Sequence, residues 1–188
     1  MNIVNRAFTT TFCVLLLSFS SYAQATPKDN ADQLNIADLQ LAYQLLVLNQ
    51  SNATQQQQFQ KQQNKLTQRA TLIAKKQLKI RYRWGGTSPK KGFDCSGLIQ
   101  YSFKKANISL PRTAASQYKE TKRISLSELQ SGDLIFFHTR RRKQVKVNHV
   151  GIYLGNNQFI HAPRKGKTVT IAKLNRYWKE KIVGAGRI

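Results

Sequence analysis

The sequence predicts an α+β domain in which helices come first and an antiparallel sheet follows. Two observations lead to this prediction. Apolar residues in the first half of the region from residue 71 recur at helical spacing. After the turn Ser131-Gly132-Asp133 they form short apolar runs that alternate with turn residues, as strands do. Helices that precede an antiparallel sheet are typical of the α+β class.

Residues 1–25 have the organisation of a secretory signal peptide. A short apolar stretch, 8–19, is followed by Ala23-Gln24-Ala25, which suits cleavage. Cys13 lies inside that stretch without a small-residue cleavage pattern ahead of it, so we expect it to be removed and not to carry a lipid. The sequence contains no segment that is apolar for long enough to cross a membrane. We therefore expect an exported protein, periplasmic or secreted, without a transmembrane segment.

Residues 26–70 are predicted to be an extension of the globular region. Leucines between Asp32 and Asn49 recur at helical spacing and predict an amphipathic helix. Residues 50–64 include eight glutamines, a composition that continues a helix or frays into a linker but builds no core. We expect a spacer here. The alternative is that the leucine-rich helix covers the active cleft or recruits a partner.

Residues 71–188 are predicted to form the globular domain, and they carry nearly all of the charge. They hold 26 lysines and arginines against 5 aspartates and glutamates, a net charge of +21, whereas residues 26–70 have a net charge of +1. Such a field indicates a polyanionic partner. An exported protein meets wall peptides, wall polymers and lipid head groups before nucleic acid, so we expect no nucleic-acid partner. The alternative is that the charge serves solubility.

The elements of this domain are predicted in the following order. They are a helix through Leu72, Ile73 and Lys76, an extended Arg81–Trp84, turns over 85–92, a helix from Cys95 to near Asn107, a helix from near Thr113, strands Leu134–Phe137, Val145–Leu154, Gln158–Ala162 and Thr168–Ile171, a short helix near Leu174–Trp178, and a strand Ile182–Ile188.

Cys95 is the only cysteine left once the signal peptide is removed, so it cannot form an internal disulfide. Asp94 before it is a suitable helix N-cap, and the apolar residues that follow keep the spacing of one helical face. The thiol would then lie in the first turn of a helix, where unpaired amides and the macrodipole favour an anion and lower a thiol pKa. These features predict a nucleophilic cysteine.

Two of the three histidines, His149 and His161, flank the turn Gly155-Asn156-Asn157. A three-residue loop would place them diagonally on one face, with Cα atoms about 7 to 8 Å apart, whereas a two-residue loop would place them on opposite faces. On one face, with Cys95 above it, they complete a nucleophile, a base and an orienting group.

Other roles for these residues are open at this point. Each histidine of the pair could be a structural residue, and His138 is expected to lie on the surface. Zinc could bind Cys95 and two histidines, but a structural site takes four ligands and no second cysteine remains. Asp133 could orient a histidine, although its turn favours a backbone cap. We expect no metal or organic cofactor.

Six motifs follow one another along the chain. They are Tyr82-Arg83-Trp84-Gly85-Gly86, Phe93-Asp94-Cys95-Ser96-Gly97, Leu110-Pro111-Arg112-Thr113, Gly132-Asp133-Leu134, Asn148-His149-Val150-Gly151-Ile152-Tyr153 and Phe159-Ile160-His161-Ala162. From about residue 81 to 187 they resemble the NlpC-type cysteine peptidases of bacterial cell walls, and are most similar to the small Gram-negative murein endopeptidases. The resemblance implies a papain-like α+β fold.

By position, the resemblance implies that Cys95 is the nucleophile, His149 the general base and His161 the orienting residue. It also implies further roles near the thiol: support of the oxyanion by Tyr82, and contacts to the substrate peptide by Asp94 and Ser96. The implied reaction hydrolyses an amide bond in peptidoglycan stem peptides through a thioester. The bond is either the γ-D-glutamyl–diaminopimelate bond or the D,D crosslink.

The chain departs from these relatives by a basic loop at residues 140–146. Its cations could attract anionic wall polymers, or the loop could be a solvated hairpin tip; they include Arg140, Arg141, Arg142 and Lys143. Two rival functions remain. One is a secreted cysteine amidase or acyltransferase effector that acts on another substrate, and the other is a non-catalytic binder of anionic wall polymers.

Overall fold

A computed structural model describes residues 35–139 and 146–188 of the protein. The predicted signal peptide and most of the basic loop therefore lie outside the described residues. The chain divides into two compact units, 1–44 and 45–188. Of the first unit, the described residues 35–44 hold the first turns of a helix, α1. The second unit holds the rest of α1 and all other described elements.

Helix α1 spans Ile36–Lys75 without interruption. It therefore runs through the glutamine-rich stretch, where we expected a spacer, and through the predicted boundary at residue 70. The physical reason is that this span contains neither glycine nor proline, while glutamine, leucine and alanine are good helix formers. The buried residues of α1 all lie near its end, and they are Thr67, Ala70, Thr71 and Ala74.

The remaining elements combine a six-stranded antiparallel sheet with three further helices and a short hairpin. They are β1 (Thr87–Ser88), β2 (Gly92–Phe93), α2 (Cys95–Lys105), α3 (Ala114–Glu120), β3 (Lys122–Ile124), β4 (Leu134–Phe137), β5 (His149–Gly155), β6 (Gln158–His161), β7 (Thr170–Lys173), α4 (Arg176–Lys179) and β8 (Ile182–Arg187). The strand order of the large sheet is β3-β8-β4-β5-β6-β7. The predicted α+β class is confirmed.

The structure corrects several predicted elements. Strand β3 and a 3₁₀ turn at Leu126–Glu128 were not predicted, because three residues, two of them consecutive cations, give no strand pattern. Strand β5 begins at His149 and not at Val145, and β7 and α4 each begin two residues later than predicted. These differences affect ends of elements, which depend on tertiary hydrogen bonds more than on local pattern.

The register of the hairpin formed by β5 and β6 is set by a combination of turn and bulge that we did not predict. Its turn has two residues, Asn156 and Asn157, both with positive φ. Gly155 pairs with Gln158, but Tyr153 pairs with Phe159, so one extra residue forms a bulge in β5. The bulge restores the register expected for a three-residue loop. His149 and His161 therefore lie diagonally on one face despite the two-residue turn.

The large sheet has apolar side chains on both faces. Helix α2 packs on one face through Leu98, Ile99 and Phe103, against β5 and β6 residues such as Val150 and Ile160. A second cluster covers the other face, and it consists of Ile135, Phe137, Phe159 and Leu174 with the half-buried Trp178. Side chains alternate along a strand, so His149 and His161 point to this second face. Cys95 therefore contacts the end of β5. It does not lie above the face that carries His149 and His161, where we expected it.

Candidate active site

The first turn of α2 is fixed by Asp94, as its N-cap position predicts. The Asp94 carboxylate accepts a hydrogen bond from the Gly97 amide at 2.7 Å and another from the Gly85 amide at 2.9 Å. These two bonds join the start of α2 to the turn before β1. Cys95, the first residue of α2, is therefore held in place by the backbone on both sides.

Arg112 is a further residue of this site, and its role was not predicted from the sequence. Its guanidinium donates to both carboxylate oxygens of Asp94, at 3.0 and 2.5 Å, and to the Ser96 hydroxyl at 2.9 Å. The paired carboxylate raises the pKa of Arg112, so it stays charged. Gln117 supports the same turn by donating to the Ser96 carbonyl oxygen at 3.0 Å. The only sequence signal was a motif containing Arg112.

The Cys95 thiol lies against the end of β5. It donates to the backbone carbonyl oxygen of Asn148, with the sulfur and oxygen 3.9 Å apart. Burial and, to a smaller extent, the Asp94 carboxylate raise the pKa of the thiol to about 11, although amide hydrogen bonds from residues such as Ser96 and Val150 act to lower it. The expected lowering by the helix N-terminus is thus wrong for the resting site, because desolvation outweighs the backbone dipoles.

His149 and His161, the histidine pair, meet directly. Nε2 of His149 lies 2.8 Å from Nδ1 of His161, and the two residues are 4% and 2% exposed. Burial, with a smaller contribution from the neighbouring His149, lowers the pKa of His161 to about 3. His161 is therefore neutral at physiological pH, and its Nδ1 accepts when His149 donates from Nε2. This arrangement fits the expected orienting role of His161.

Aromatic rings surround the histidine pair. The ring centroids of Phe137 and His149 are 5.9 Å apart, and those of Phe159 and His161 are 4.7 Å apart. Trp178 lies against both imidazoles, stacked on His149 and edge-on to His161. The sequence placed Trp178 in a short helix without indicating this contact.

Cys95 and His149 open into one cleft of about 1150 Å³. Tyr82, Asp94 and Ser96, the other residues for which the sequence indicated a role, also line it. Among the described residues, His161 does not line the cleft. Because it is hydrogen-bonded to His149, it lies behind that residue as seen from the cleft. The cleft therefore brings together the Cys95 thiol, the His149 imidazole and the three residues expected to support the oxyanion or contact the substrate.

We expect the neutral His161 to make stability depend on pH. Its pKa is about 3 in the folded protein against an ordinary value of 6.5, so below pH 6.5 the unfolded chain binds a proton that the folded protein does not. Stability should then fall as the pH drops from 7 to 4.5, by about 2 to 3 kcal/mol from this residue. Urea unfolding at several pH values measures it. In the His161→Asn variant, the free energy of unfolding should depend less steeply on pH. An unchanged dependence would contradict the low pKa of His161.

No cluster of three or more histidine, cysteine, aspartate or glutamate side chains suited to a metal ion occurs within residues 35–139 and 146–188. In the same ranges, no helix is both long and apolar enough to span a membrane. Asp133, the other acidic residue considered, pairs with Arg187 at 2.8 Å and accepts from the Gln130 amide. It is thus part of a structural ion pair and turn.

A cysteine at the start of a helix that packs against an antiparallel sheet, with a histidine of that sheet hydrogen-bonded to a second side chain, is the arrangement of the papain-like class of α+β proteins. The chain belongs to the NlpC/P60 family, whose sequence profile matches residues 79–187. The predicted family resemblance is therefore confirmed.

Two curated relatives illustrate the sequence similarity. The chain is 44% identical over 129 residues to murein DD-endopeptidase MepH of Escherichia coli K12, a match that covers 64% of this chain and 47% of the relative. It is 46% identical over 107 residues to the bifunctional muramidase/DL-endopeptidase CwlT of Bacillus subtilis 168, covering 57% and 32%. The chain thus spans about half or less of the length of these relatives.

Solved structures share the fold. An NLP/P60 family protein from Staphylococcus aureus, described as similar to a lipoprotein, superposes with a TM-score of 0.60 at 45% identity, covering 66% of this chain and 41% of that one. The peptidoglycan hydrolase RipB of Mycobacterium tuberculosis gives a TM-score of 0.56 at 28% identity, covering 66% and 65%. The similarity therefore extends through the region that holds the candidate site.

Proposed function

We propose that the protein is an exported peptidoglycan endopeptidase that hydrolyses an amide bond of stem peptides. One observation carries this proposal: Cys95 and His149 share a cleft, and His149 is hydrogen-bonded at 2.8 Å to a neutral His161 behind it. A thiol, a base and an orienting group are what nucleophilic hydrolysis of an amide requires. The functions for which the relatives are named, murein and peptidoglycan hydrolysis, support the substrate class.

The first step is proton transfer coupled to attack. Because the thiol has a pKa of about 11, it is protonated at rest, and a base must remove its proton as the sulfur attacks the carbonyl carbon. Nε2 of His149 is engaged with His161, so Nδ1 of His149 takes the proton. The resulting imidazolium keeps donating to His161 through Nε2. The sulfur–carbon bond forms while the carbonyl π bond becomes an oxyanion.

The second half of the reaction returns the enzyme to its starting state. His149 gives its proton to the amine as the carbon–nitrogen bond breaks, which leaves a thioester on Cys95. Water, deprotonated by His149, then attacks the thioester and releases the acid and the thiol. We propose that the Cys95 amide and the Tyr82 hydroxyl stabilise the oxyanion, and that Asp94 and Ser96 contact the stem peptide.

The charge of the domain supports an anionic substrate. Arg164 and Lys165 line the cleft, where they can attract the carboxylates of stem peptides. We also propose that Arg140, Arg141, Arg142 and Lys143, outside the described residues, attract anionic wall polymers. Both features favour a protein that works at the wall, in the periplasm or outside the cell.

The relatives do not agree on the bond that they cut. One is named a DD-endopeptidase and another a DL-endopeptidase. The γ-D-glutamyl–diaminopimelate bond and the D,D crosslink therefore both remain candidates for this chain. The cleft residues named above can serve either bond, since the chemistry at the carbonyl is the same.

Mass spectrometry of sacculi tests the function directly. Sacculi incubated with the protein should release muropeptides with new ends that identify the bond, and sacculi incubated with Cys95→Ala should not. Both proteins should bind sacculi equally, with binding that weakens in salt, and neutralising the four cations of the basic loop should reduce that salt dependence. Binding without products would favour the non-catalytic binder. Products that carry an added amine or acyl acceptor would favour the acyltransferase.

A further inference from the structure

Asn148 directly precedes His149 in the chain and is hydrogen-bonded through both its backbone and its side chain. The backbone amide donates to the Phe137 carbonyl oxygen at 3.1 Å, and the backbone carbonyl oxygen accepts from the Cys95 thiol. The side-chain oxygen, Oδ1, accepts from both the amide and the hydroxyl of Thr139, each at 2.9 Å. Asn148 is therefore fixed in position beside the thiol.

The bonds from Thr139 also settle the orientation of the Asn148 carboxamide. A backbone amide can only donate, so the carboxamide atom that faces the Thr139 amide must be the oxygen. The nitrogen, Nδ2, then occupies the other position and carries two N–H groups. Within residues 35–139 and 146–188, no group accepts a hydrogen bond from it. Asn148 thus holds two donors that the fold does not use.

Solvent reaches the Nδ2 atom. In the described part of the chain, the buried side-chain nitrogen and oxygen atoms without a partner are the Ser102 hydroxyl and Oε1 of Gln117, and Nδ2 is not one of them. Asn148 is half-buried, and it lines the cleft together with Thr139 and His149. The cleft therefore offers two unused donors on a residue that contacts the thiol and precedes the proposed base.

A carboxamide nitrogen held in this way suits an oxygen acceptor on a ligand. Stem peptides carry such acceptors near either candidate bond, as backbone carbonyl oxygens and as free carboxylates. A donor whose orientation is set before binding loses little conformational entropy when the ligand arrives. The bonds from Thr139 to Oδ1 supply that preorganisation for Asn148.

We propose that Asn148 is a substrate-binding residue whose Nδ2 donates to an oxygen acceptor of the stem peptide. Thr139 is the positioning residue for this contact, because it holds Oδ1. The ligand class rests on the proposed function, and the contact adds a specific role for the residue before the base. The acceptor is a carbonyl or a carboxylate oxygen, and the two respond differently to amidation of the peptide.

Binding of the stem tetrapeptide L-Ala-γ-D-Glu-diaminopimelate-D-Ala to Cys95→Ala measures the contact without catalysis. In isothermal titration calorimetry, adding Asn148→Asp should raise Kd about tenfold, because aspartate keeps an oxygen for Thr139 but has no N–H group. The NMR shift of the Thr139 amide should stay native. Asn156→Asp, at an exposed residue of the turn between β5 and β6, is the matched control and should change Kd less than twofold.

The same peptide with carboxamides in place of its carboxylates identifies the acceptor. A carbonyl acceptor predicts the same loss of affinity with both peptides, whereas a carboxylate acceptor predicts a loss with the acid peptide alone. Asn148→Ala, which removes the donors without adding a charge, should show the same pattern. A loss with aspartate but not with alanine would come from charge repulsion alone and would overturn the proposal.

An unchanged Kd in a folded Asn148→Asp protein would also show that Asn148 makes no such contact. If that variant does not fold, Asn148→Ala decides by the same measurement. A native protein that leaves sacculi intact, while Cys95→Ala binds the peptide through Asn148, would remove the proposed function and keep the binding site. If Cys95→Ala binds no stem peptide, the binding site is wrong, even where the native protein cleaves sacculi.

Discussion

His149→Ala should lower kcat on muropeptides by about 10³-fold, because it removes the side chain that we propose takes the thiol proton. With a pKa of about 11, roughly one Cys95 side chain in ten thousand is a thiolate at pH 7. Only hydroxide would then be left to deprotonate it. The rate of Cys95 alkylation by iodoacetamide in this variant should rise about tenfold per pH unit between pH 7 and 10.

A histidine outside the cleft provides the control for this variant. His138 follows β4 and donates its backbone amide to the Lys181 carbonyl oxygen at 2.8 Å. We expect His138→Ala to keep the native kcat and the native alkylation profile. Retention of more than a tenth of the activity by His149→Ala, or an alkylation rate independent of pH, would show that another group acts as the base.

Asp94→Ala should have the largest effect on stability. The Asp94 carboxylate caps α2 through Gly97, holds the Gly85 turn and pairs with Arg112 through both oxygens. Its side chain is 11% exposed and that of Arg112 is 36% exposed, so the substitution leaves a partly buried cation without its anion. We expect the free energy of unfolding to fall by about 3 kcal/mol, from the lost cap and the broken ion pair together. Urea denaturation measures it.

Two further variants show which part of that loss comes from charge. Asp94→Asn keeps an oxygen for the Gly97 amide but removes the anion, so its stability should lie between those of the native protein and Asp94→Ala. Glu180→Ala breaks another carboxylate pair, with Arg176, in which the side chains are 58% and 93% exposed. That loss should stay within about 0.5 kcal/mol. A similarly small loss for Asp94→Ala would mean that Asp94 does not organise the site.

The parts of the site that depend on local sequence were predictable. The cap by Asp94 and the start of α2 at Cys95 follow from residues three or four positions apart. The histidine pair was predictable only through a choice of loop length, and the structure reaches the expected face by a bulge in β5 that a periodicity argument does not contain. The pattern of apolar residues determines which face of the hairpin is buried. The bulge shifts the register by one residue, so that the two-residue turn is compatible with that face.

The parts that depend on distant contacts were not predictable. Arg112 lies 18 residues from Asp94 along the chain, and the motif that contains it does not indicate that it pairs with Asp94. The direction of the Cys95 pKa shift depends on how deeply the packed chain buries the sulfur. Trp178, in the helix that follows β7, contacts His149 of β5 and His161 of β6. The continuity of α1 was undecided because its composition allows either a helix or a linker.

The raised pKa of Cys95 also bears on how the proposed exported enzyme would survive outside the cytoplasm. Peroxides and disulfides attack the thiolate far faster than the thiol, and an oxidising compartment offers little that would reduce a damaged cysteine. A sulfur that stays protonated until substrate and His149 act on it together is largely inert to such reagents. In the proposed enzyme, the start of α2 would therefore keep the Cys95 thiol in a form resistant to oxidation, and its reactivity would depend on His149 at every turnover.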